Sequence, residues 1–557
     1  MRRQWRHLAF SGDEWLVLRL MLCSHAHRSI AMKQTNPHRN SLPPSHLPPG
    51  MGSTSTSTSD LPRPFLHTWV QSLKSRRKEQ LDYFPSYHVS DPECLVATCQ
   101  PQSITVGSGA YIYKHTILPA LLAARHEIIL VTCFWAPSES LQAIQDALAG
   151  LVDRRRAAIE APNNDPDSIP PLRIRIRFSS RSFFQKLFHT WSPAGHVYPP
   201  SAWPGLGLPA DEVLRAARIE LSVKTLFFLP FSVMHPKFVV IDRQRAWMPS
   251  CNVSWETWFE GCLEFTGPAV GKLLRFYGHV WEWGNYEDWL KESTVWDNRV
   301  AAQVPPKSNN AVGVVGPIPN GSNPACRTLA LNMPPTPAII LPSSHHRNPG
   351  FRFIPFLRRT CPPATPLNMA LLTLFATARK QIDILTPNLT SRAVVDALLS
   401  ALARGVHVRI RTSRNMMLLE QLATAFTTTE RTLQSLIQRY TAAVAHWEEA
   451  ARRASDIEAQ DQDPRPGRLE VYYYRPDAAA QAAGEKEEEP VVSHLKMTLV
   501  DKEFLVLGSG NMDRASWHTS QELGILLYVP RFEHDVWAEV LETRMEVRFV
   551  GGPDQEM

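Results

Sequence analysis

The sequence predicts an α/β protein of two repeated lobes, each a mixed β-sheet flanked by helices, with an active site at the pseudo-two-fold interface between them. Three observations predict it. A motif of fixed spacing occurs twice, about 260 residues apart. A helix-then-strand pattern precedes each copy. The 557 residues, 44% of them apolar, supply two cores of ordinary domain size plus connections.

Taken in order, residues 1–90 read as a basic, then Pro/Ser/Thr-rich extension that is largely disordered. Met1 to Arg39 is rich in Arg and His with only Asp13 and Glu14 acidic, the composition of a mitochondrial presequence or of a flexible tail. Ser41 to Ser59 lacks hydrophobic periodicity. The first lobe is expected over 91–300. Leu118 to Ala124 has a helical pattern, and the apolar run Glu127–Thr132 and the alternating Leu172–Phe178 read as strands. Residues 301–365 are Pro-rich and read as an interlobe linker with apolar patches at Ala338–Leu341 and Phe351–Leu357. The second lobe, 366–557, repeats the plan: a helix over Leu371–Ala378, strands over Gln381–Thr386 and Val406–Thr412, and an insert at 418–489. That insert predicts a helix or helical hairpin, then a solvated acidic loop including Asp456–Asp463 and Gly484–Glu489.

The two motif copies carry the chemistry. The first is His235-Pro-Lys237, four residues, Asp242, six residues, then Pro249-Ser250-Cys251-Asn252. The second is His494-Leu-Lys496, four residues, Asp501, six residues, then Gly508-Ser509-Gly510-Asn511. Residues two apart on a strand share a face, so each copy delivers an imidazole and an ammonium to one wall. The correspondence continues downstream: Trp258 and Trp517 each lie six residues beyond the Asn, Glu264 and Glu522 lie 29 and 28 beyond the His, and Arg275-Phe276 with Val280-Trp281 matches Arg531-Phe532 with Val536-Trp537. Pairing the repeats gathers two histidines, two lysines, two serines and two asparagines, a receptor for a phosphodiester.

This doubled pattern resembles the phospholipase D superfamily. The resemblance implies a phosphodiesterase or phosphatidyltransferase that works through a phosphohistidine without metal or other cofactor, cardiolipin-synthase-like transfer and phospholipid hydrolysis both included. It implies that His235, Lys237, Asp242, His494, Lys496 and Asp501 form the catalytic set, with the two aspartates holding motif geometry. Ser250, Asn252, Ser509 and Asn511 are expected to bind the substrate phosphate, and Glu264 and Glu522 to orient the histidines. By the family's usual arrangement His235 is the nucleophile and His494 the acid/base. One departure is Pro249 where the second copy has Gly508; a lipid-binding scaffold with an inactive first lobe is the reading that would rest on it.

Composition weighs on the partner. Residues 1–80 hold 12 Lys/Arg against 4 Asp/Glu, or +8, which leaves the other 477 residues at −2 of the total +6. A nuclease of the same superfamily is the alternative, but a nucleic-acid enzyme usually carries its basic footprint on the binding lobe, so a phospholipid substrate is favoured over nucleic acid. No apolar run approaches membrane-spanning length. The expected location is intracellular, cytoplasmic or at a membrane surface, with a mitochondrial one suggested by the basic N-terminus. Trp281, Trp283, Trp289 and Trp296 with Tyr277 and Tyr286 read as a helix packed on the sheet, or as a belt for peripheral membrane contact. Gly107-Ser-Gly109 follows no convincing strand and reads as a loop. The eight cysteines show no zinc spacing and read as reduced thiols. The oligomeric state is left open by the sequence.

Overall fold

The computed structural model describes residues 61–161, 169–182, 185, 193–228, 232–291, 325–331, 333–345, 361–453, 464–483, 489–530, 532 and 536–553. The calls on residues 1–60, Trp296, Phe351–Leu357, Asp456–Asp463, 484–488 and Arg531 fall outside them.

One strand order is built twice. The first copy comprises α1 (Arg63–Ser75), β1 (Val96–Ser108), α2 (Leu118–Ala123), β2 (Glu127–Phe134), α3 (Glu139–Glu160), β3 (Leu172–Ser180), β4 (Ile219–Thr225), β5 (Phe238–Ile241), β6 (Arg245–Pro249), β7 (Trp258–Thr266) and α4 (Pro268–Trp281). The second comprises β8 (Thr336–Ser343), α5 (Pro366–Thr377), β9 (Gln381–Thr386), α6 (Arg392–Ala403), β10 (His407–Thr412), α7 (Leu418–Ala425), α8 (Thr429–Arg453), β11 (Leu469–Tyr474), β12 (Met497–Val500), β13 (Phe504–Gly508), α9 (Arg514–His518), β14 (Glu522–Tyr528) and β15 (Met545–Gly551). Pairing runs β4-β3-β2-β5-β6-β7-β1 in the first and β15-β11-β10-β9-β12-β13-β14-β8 in the second. In each copy three central strands are parallel and the motif hairpin is antiparallel. Val96–Cys99 of β1 pairs with Thr336–Ile339 of β8, which joins the two arrays into one mixed sheet.

Alternation along the strands divides the core into three. On β2, Ile128 and Leu130 face α3 and its Leu141, Ile144 and Leu148. Their neighbours Ile129 and Val131 face inward, where Phe238 and Val240 meet Met497, Leu505 and Ile525 of the other copy. On the far side, Ile382 and Ile384 of β9 pack under α5, α6 and α8. Parallel strands covered on both faces must be apolar on both, which is why β2 reads as an unbroken hydrophobic run. Trp281 and Trp289 are buried in the inner core with Tyr277, so the packing reading holds for them, while Trp283 is exposed.

Several expectations on boundaries are corrected. Residues 61–90 are not disordered extension: Phe65, Trp69 and Leu73 lie one helical turn apart on α1 and pack on α5, where the Trp69 indole donates to the Pro366 carbonyl (3.1 Å). The linker patch Ala338–Leu341 is β8, wholly buried between β1 and β14, so it forms no rim for acyl chains. The insert does hold a helical hairpin, α7 and α8, but its C-terminal part contains β11, a sheet strand, and Glu489 is not solvated: it is buried against Arg544 (2.6 and 3.0 Å). Gly107 ends a long strand after all, and Ser108 then caps a short helix. Cys94, Cys99, Cys251, Cys262 and Cys361 are free thiols. No described helix is long and apolar enough to cross a membrane.

Trp69→Ala removes a fully buried indole and should lower stability by about 3–5 kcal/mol. Urea denaturation checks this; an unchanged midpoint would mean that α1 contributes nothing to the core.

Candidate active site

Each motif begins just before a hairpin, and each hairpin is built alike. Asp242 and Arg243 turn β5 into β6 with φ of 50° and 57°, and Asp501 and Lys502 turn β12 into β13 with 55° and 57°. Two successive positive φ values make the tight turn that matches strand twist, and Asp tolerates them. The carboxylates are then occupied by backbone. Asp242 accepts from the N–H groups of Arg125, His126 and Glu127 (2.7–3.3 Å), and Asp501 from those of Arg379, Lys380 and Gln381 (2.7–3.3 Å). Both aspartates thus tie the hairpin to the start of the neighbouring parallel strand.

The histidines lie where the two copies meet. His235 N–H donates to the Gln521 carbonyl (3.0 Å) at the start of β14, and His494 N–H to the Phe259 carbonyl (2.8 Å) on β7. Each histidine strand therefore runs beside the other copy's glutamate strand. Glu522 follows Gln521, and its Oε2 lies 2.8 Å from His235 Nδ1; Glu260 follows Phe259, and its Oε1 lies 2.7 Å from His494 Nδ1. The carboxylates are exchanged between copies.

Glu264 is thereby corrected. It meets Arg245 and Ser103 instead of a histidine, and Glu260 holds the position expected of it. Sheet register shows why. Pro249 pairs with Cys262 and Gly508 with Gly524, so Glu260 and Glu522 occupy equivalent places and Trp258 matches Ser520 rather than Trp517. The loop carrying α9 makes the second copy three residues longer between Asn and Glu, and near-equal spacing to Glu264 concealed this. The signal available in sequence was the strand pattern itself, Glu260-Gly-Cys-Leu263 against Glu522-Leu-Gly-Ile525.

The serines also differ from expectation. Ser250 Oγ donates to Glu260 and Ser509 Oγ to Glu522, and each accepts from a backbone N–H, of Gly261 (2.9 Å) and Leu523 (3.0 Å). A hydroxyl has one proton, and here it goes to a carboxylate, so these serines brace the glutamates rather than donate to phosphate. The Oδ1 atoms of Asn252 and Asn511 are buried without a hydrogen-bond partner; an amide oxygen only accepts, so any bond to a phosphate oxygen would have to come from Nδ2. Asn511 Nδ2 donates to Asp513 (2.9 Å).

Both lysines curl onto their own histidine's carbonyl, Lys237 at 2.9 Å and Lys496 at 2.7 Å, and Lys496 Nζ also stands 2.8 Å from both ring nitrogens of His494. Trp258 closes that side, its ring 4.7 Å from the imidazole. The histidine side chains are unequal: His235 is 14% exposed, His494 3%. Burial depresses both, with the lysines adding to it and the glutamates opposing; His494 falls to about 3. Burial likewise brings Lys496 down to about 7. Burial alone would lift Glu260, but His494, Lys496 and Ser250 outweigh it and hold the carboxylate below its ordinary range. Both imidazoles in the free site are neutral at pH 7.

Pro249 does not disrupt this arrangement. Gly508 has a φ of 155°, and a Cβ there would strike the Leu523 carbonyl. With Pro249 in its place, the next residue still makes the equivalent bond: Ser250 N–H to the Gly261 carbonyl at 2.8 Å, Ser509 N–H to the Leu523 carbonyl at 2.9 Å.

Residues 371–543 match the family model for the cardiolipin synthase, PLD-like domain. The second copy is a phospholipase D-like domain. That match covers the second copy; the first repeats its motif and strand order. Among solved structures, the chain is similar to phosphatidylserine synthase from Haemophilus influenzae Rd KW20 (13% identity, 86% of this chain and 92% of that one, TM-score 0.42). It is also similar to polyphosphate kinase from Porphyromonas gingivalis (11%, 78% and 46%, 0.36) and to Nuc, a phospholipase D family member from Salmonella typhimurium (12%, 33% and 90%, 0.21). No curated protein matches the chain.

Two predictions follow from this geometry. Glu260→Gln should lower turnover of a soluble phosphodiester by roughly 10²–10⁴-fold, since an amide no longer fixes the imidazole tautomer, while Glu264→Gln stays near wild type. Equal losses in the two would contradict the assignment. The second concerns pH. A bound oxyanion favours the Lys496 ammonium, so above pH 7 the complex holds a proton that the free site has lost. Tungstate binding, followed by calorimetry in buffers of different ionisation enthalpy, should take up protons and weaken as pH rises through 7 and beyond, and Lys496→Met should reduce both effects, leaving only the share that the imidazoles take up.

Proposed function

We propose that the protein is a phosphodiesterase and phosphatidyltransferase that acts on phospholipids through a phosphohistidine. The observation that carries the reading is the exchanged pair of histidine–glutamate hydrogen bonds. With Nδ1 of each imidazole committed to a carboxylate, Nε2 is the nitrogen left for chemistry. His235, the more open of the two, is assigned the attack. Its Nε2 bonds to phosphorus, the bond from phosphorus to the leaving oxygen breaks, and His494 gives that oxygen a proton. Water or an alcohol then returns a proton to His494 and attacks phosphorus, and the P–N bond breaks. His494 is neutral in the free site, so the acid role requires the bound diester, whose negative charge beside Lys237, Lys496 and the imidazoles favours their protonated forms.

Phospholipid is favoured over polynucleotide by two observations. The matched family model is that of a cardiolipin synthase-like domain. Beyond residue 80 the chain is at −2, which offers little of the counterion release that polynucleotide binding draws on.

A phosphatidyl-histidine is open to alcohols as well as to water. Phospholipid vesicles supplied with the protein and a primary alcohol should yield a phosphatidyl-alcohol, detected by mass spectrometry. Cleavage of single-stranded DNA with no phosphatidyl-alcohol from any common phospholipid would replace the lipid reading with the nuclease.

A further inference from the structure

Helix α7 is turned inside out. Leu418 and Leu422 fall on one stripe of α7, with Phe426 at its left-handed C-cap, and the three are 38%, 43% and 49% exposed, while Gln421 and Thr424 on the opposite face are buried. The helix cannot roll to bury the stripe. Gln421 Oε1 accepts from the Thr429 backbone N–H (2.6 Å) and hydroxyl (3.1 Å), and its amide donates to the Met416 carbonyl, so turning α7 would strand a buried side chain that both its flanking segments depend on. An apolar stripe kept outward against the hydrophobic effect implies a partner.

Its position implies which one. Helix α7 packs on α9, the turn that begins three residues after Asn511. The corresponding loop of the first copy, between Asn252 and β7, exposes Trp255 (61%), with the Phe134 ring 5.7 Å away. An exposed aromatic thus stands on the loop after Asn252, and an exposed apolar stripe on the helix packed against the loop after Asn511. On α9, against which α7 packs, Arg514 lies close enough to the exposed Arg392 at the start of α6 for the two to repel one another, and among the described residues neither is paired with a carboxylate. We propose that this surface, the α7 stripe with Arg392 and Arg514, docks the protein on an anionic phospholipid membrane, with the apolar side chains in the acyl boundary and the arginines at the headgroups. A second copy fits less well. Three side chains fall far short of the roughly 800 Å² per partner of a stable interface, and self-association would set the arginines of one copy against those of the other.

The proposal rests on the phospholipid reading for its purpose, and the experiment separates the two. The full chain is sedimented with vesicles of phosphatidylcholine alone or with about one-third phosphatidylglycerol, and turnover of soluble bis-p-nitrophenyl phosphate is followed in parallel. Wild type should bind the anionic vesicles. The Leu422→Glu/Phe426→Glu double variant should bind them at least roughly tenfold more weakly while hydrolysing the soluble diester normally, which also reports that it is folded. Arg392→Glu should weaken binding to the anionic vesicles only. If wild type sediments but turns over no phospholipid, the docking surface stands and the lipid-enzyme reading falls. The docking surface is overturned if wild type fails to sediment, if the double variant sediments like wild type, or if light scattering shows a wild-type dimer that the double variant abolishes without change in vesicle binding.

Discussion

The site depends on one exchange: each histidine takes its carboxylate from the other copy. Glu522 holds His235 and Glu260 holds His494, and each carboxylate is braced in turn by a serine of its own copy. Neither copy contains a complete imidazole–carboxylate pair, so the fold must keep the inner faces of both arrays in register to a fraction of an ångström. The devices that do so are visible. Backbone bonds run from His235 to Gln521 and from His494 to Phe259, β1 pairs with β8, and a shared core sets Phe238 and Val240 against Met497, Leu505 and Ile525. Around Glu260, carboxylate, imidazole and hydroxyl satisfy one another, whereas Glu522 takes both its bonds on Oε2 and leaves Oε1 buried without a partner.

Equivalent bonds do not make equivalent environments. Around His494, Lys496 lies against the ring and Trp258 covers it, whereas His235 keeps an opening. The backbones differ too, with Pro249 in one hairpin and the close approach of Gly508 to Leu523 in the other. Duplication supplies two histidines of the same kind; divergence around them separates an accessible base from an enclosed one, which is the division that a two-step displacement needs.

Much of this was legible in the sequence, for identifiable reasons. The motif spacing encodes a hairpin, because His and Lys two apart on an extended chain share a face and Asp, five positions beyond the Lys, makes the turn. Strand β2 was legible as a continuous apolar run buried on both faces, and β3, β9 and β10 by the alternation of Ile, Val or Leu with polar residues. What failed were inferences that depend on loop length or on which polar group a side chain meets. Glu264 was chosen over Glu260 by counting along a chain whose second copy carries three more loop residues, and only strand register exposes the slip. The serines were assigned to phosphate because sequence names a donor but not its acceptor. Helix α1 was missed because the basic, polar stretch preceding it masked the periodicity of Phe65, Trp69 and Leu73, and β8 because prolines at 334, 335, 337 and 342 gave the segment the look of a linker.

The central claim, that one histidine takes phosphate while the other moves protons, is tested most directly by supplying a leaving group that needs no acid. With bis-p-nitrophenyl phosphate, His494→Asn should release about one equivalent of p-nitrophenol in a burst and then stall, since attack requires only His235 whereas release of the phosphoryl group requires a base. Mass spectrometry after alkaline quenching should find the phosphoryl adduct on His235, and His235→Asn should show neither burst nor adduct. A burst from His235→Asn with the adduct on His494 would reverse the roles, and steady turnover by either variant would contradict the two-histidine account altogether.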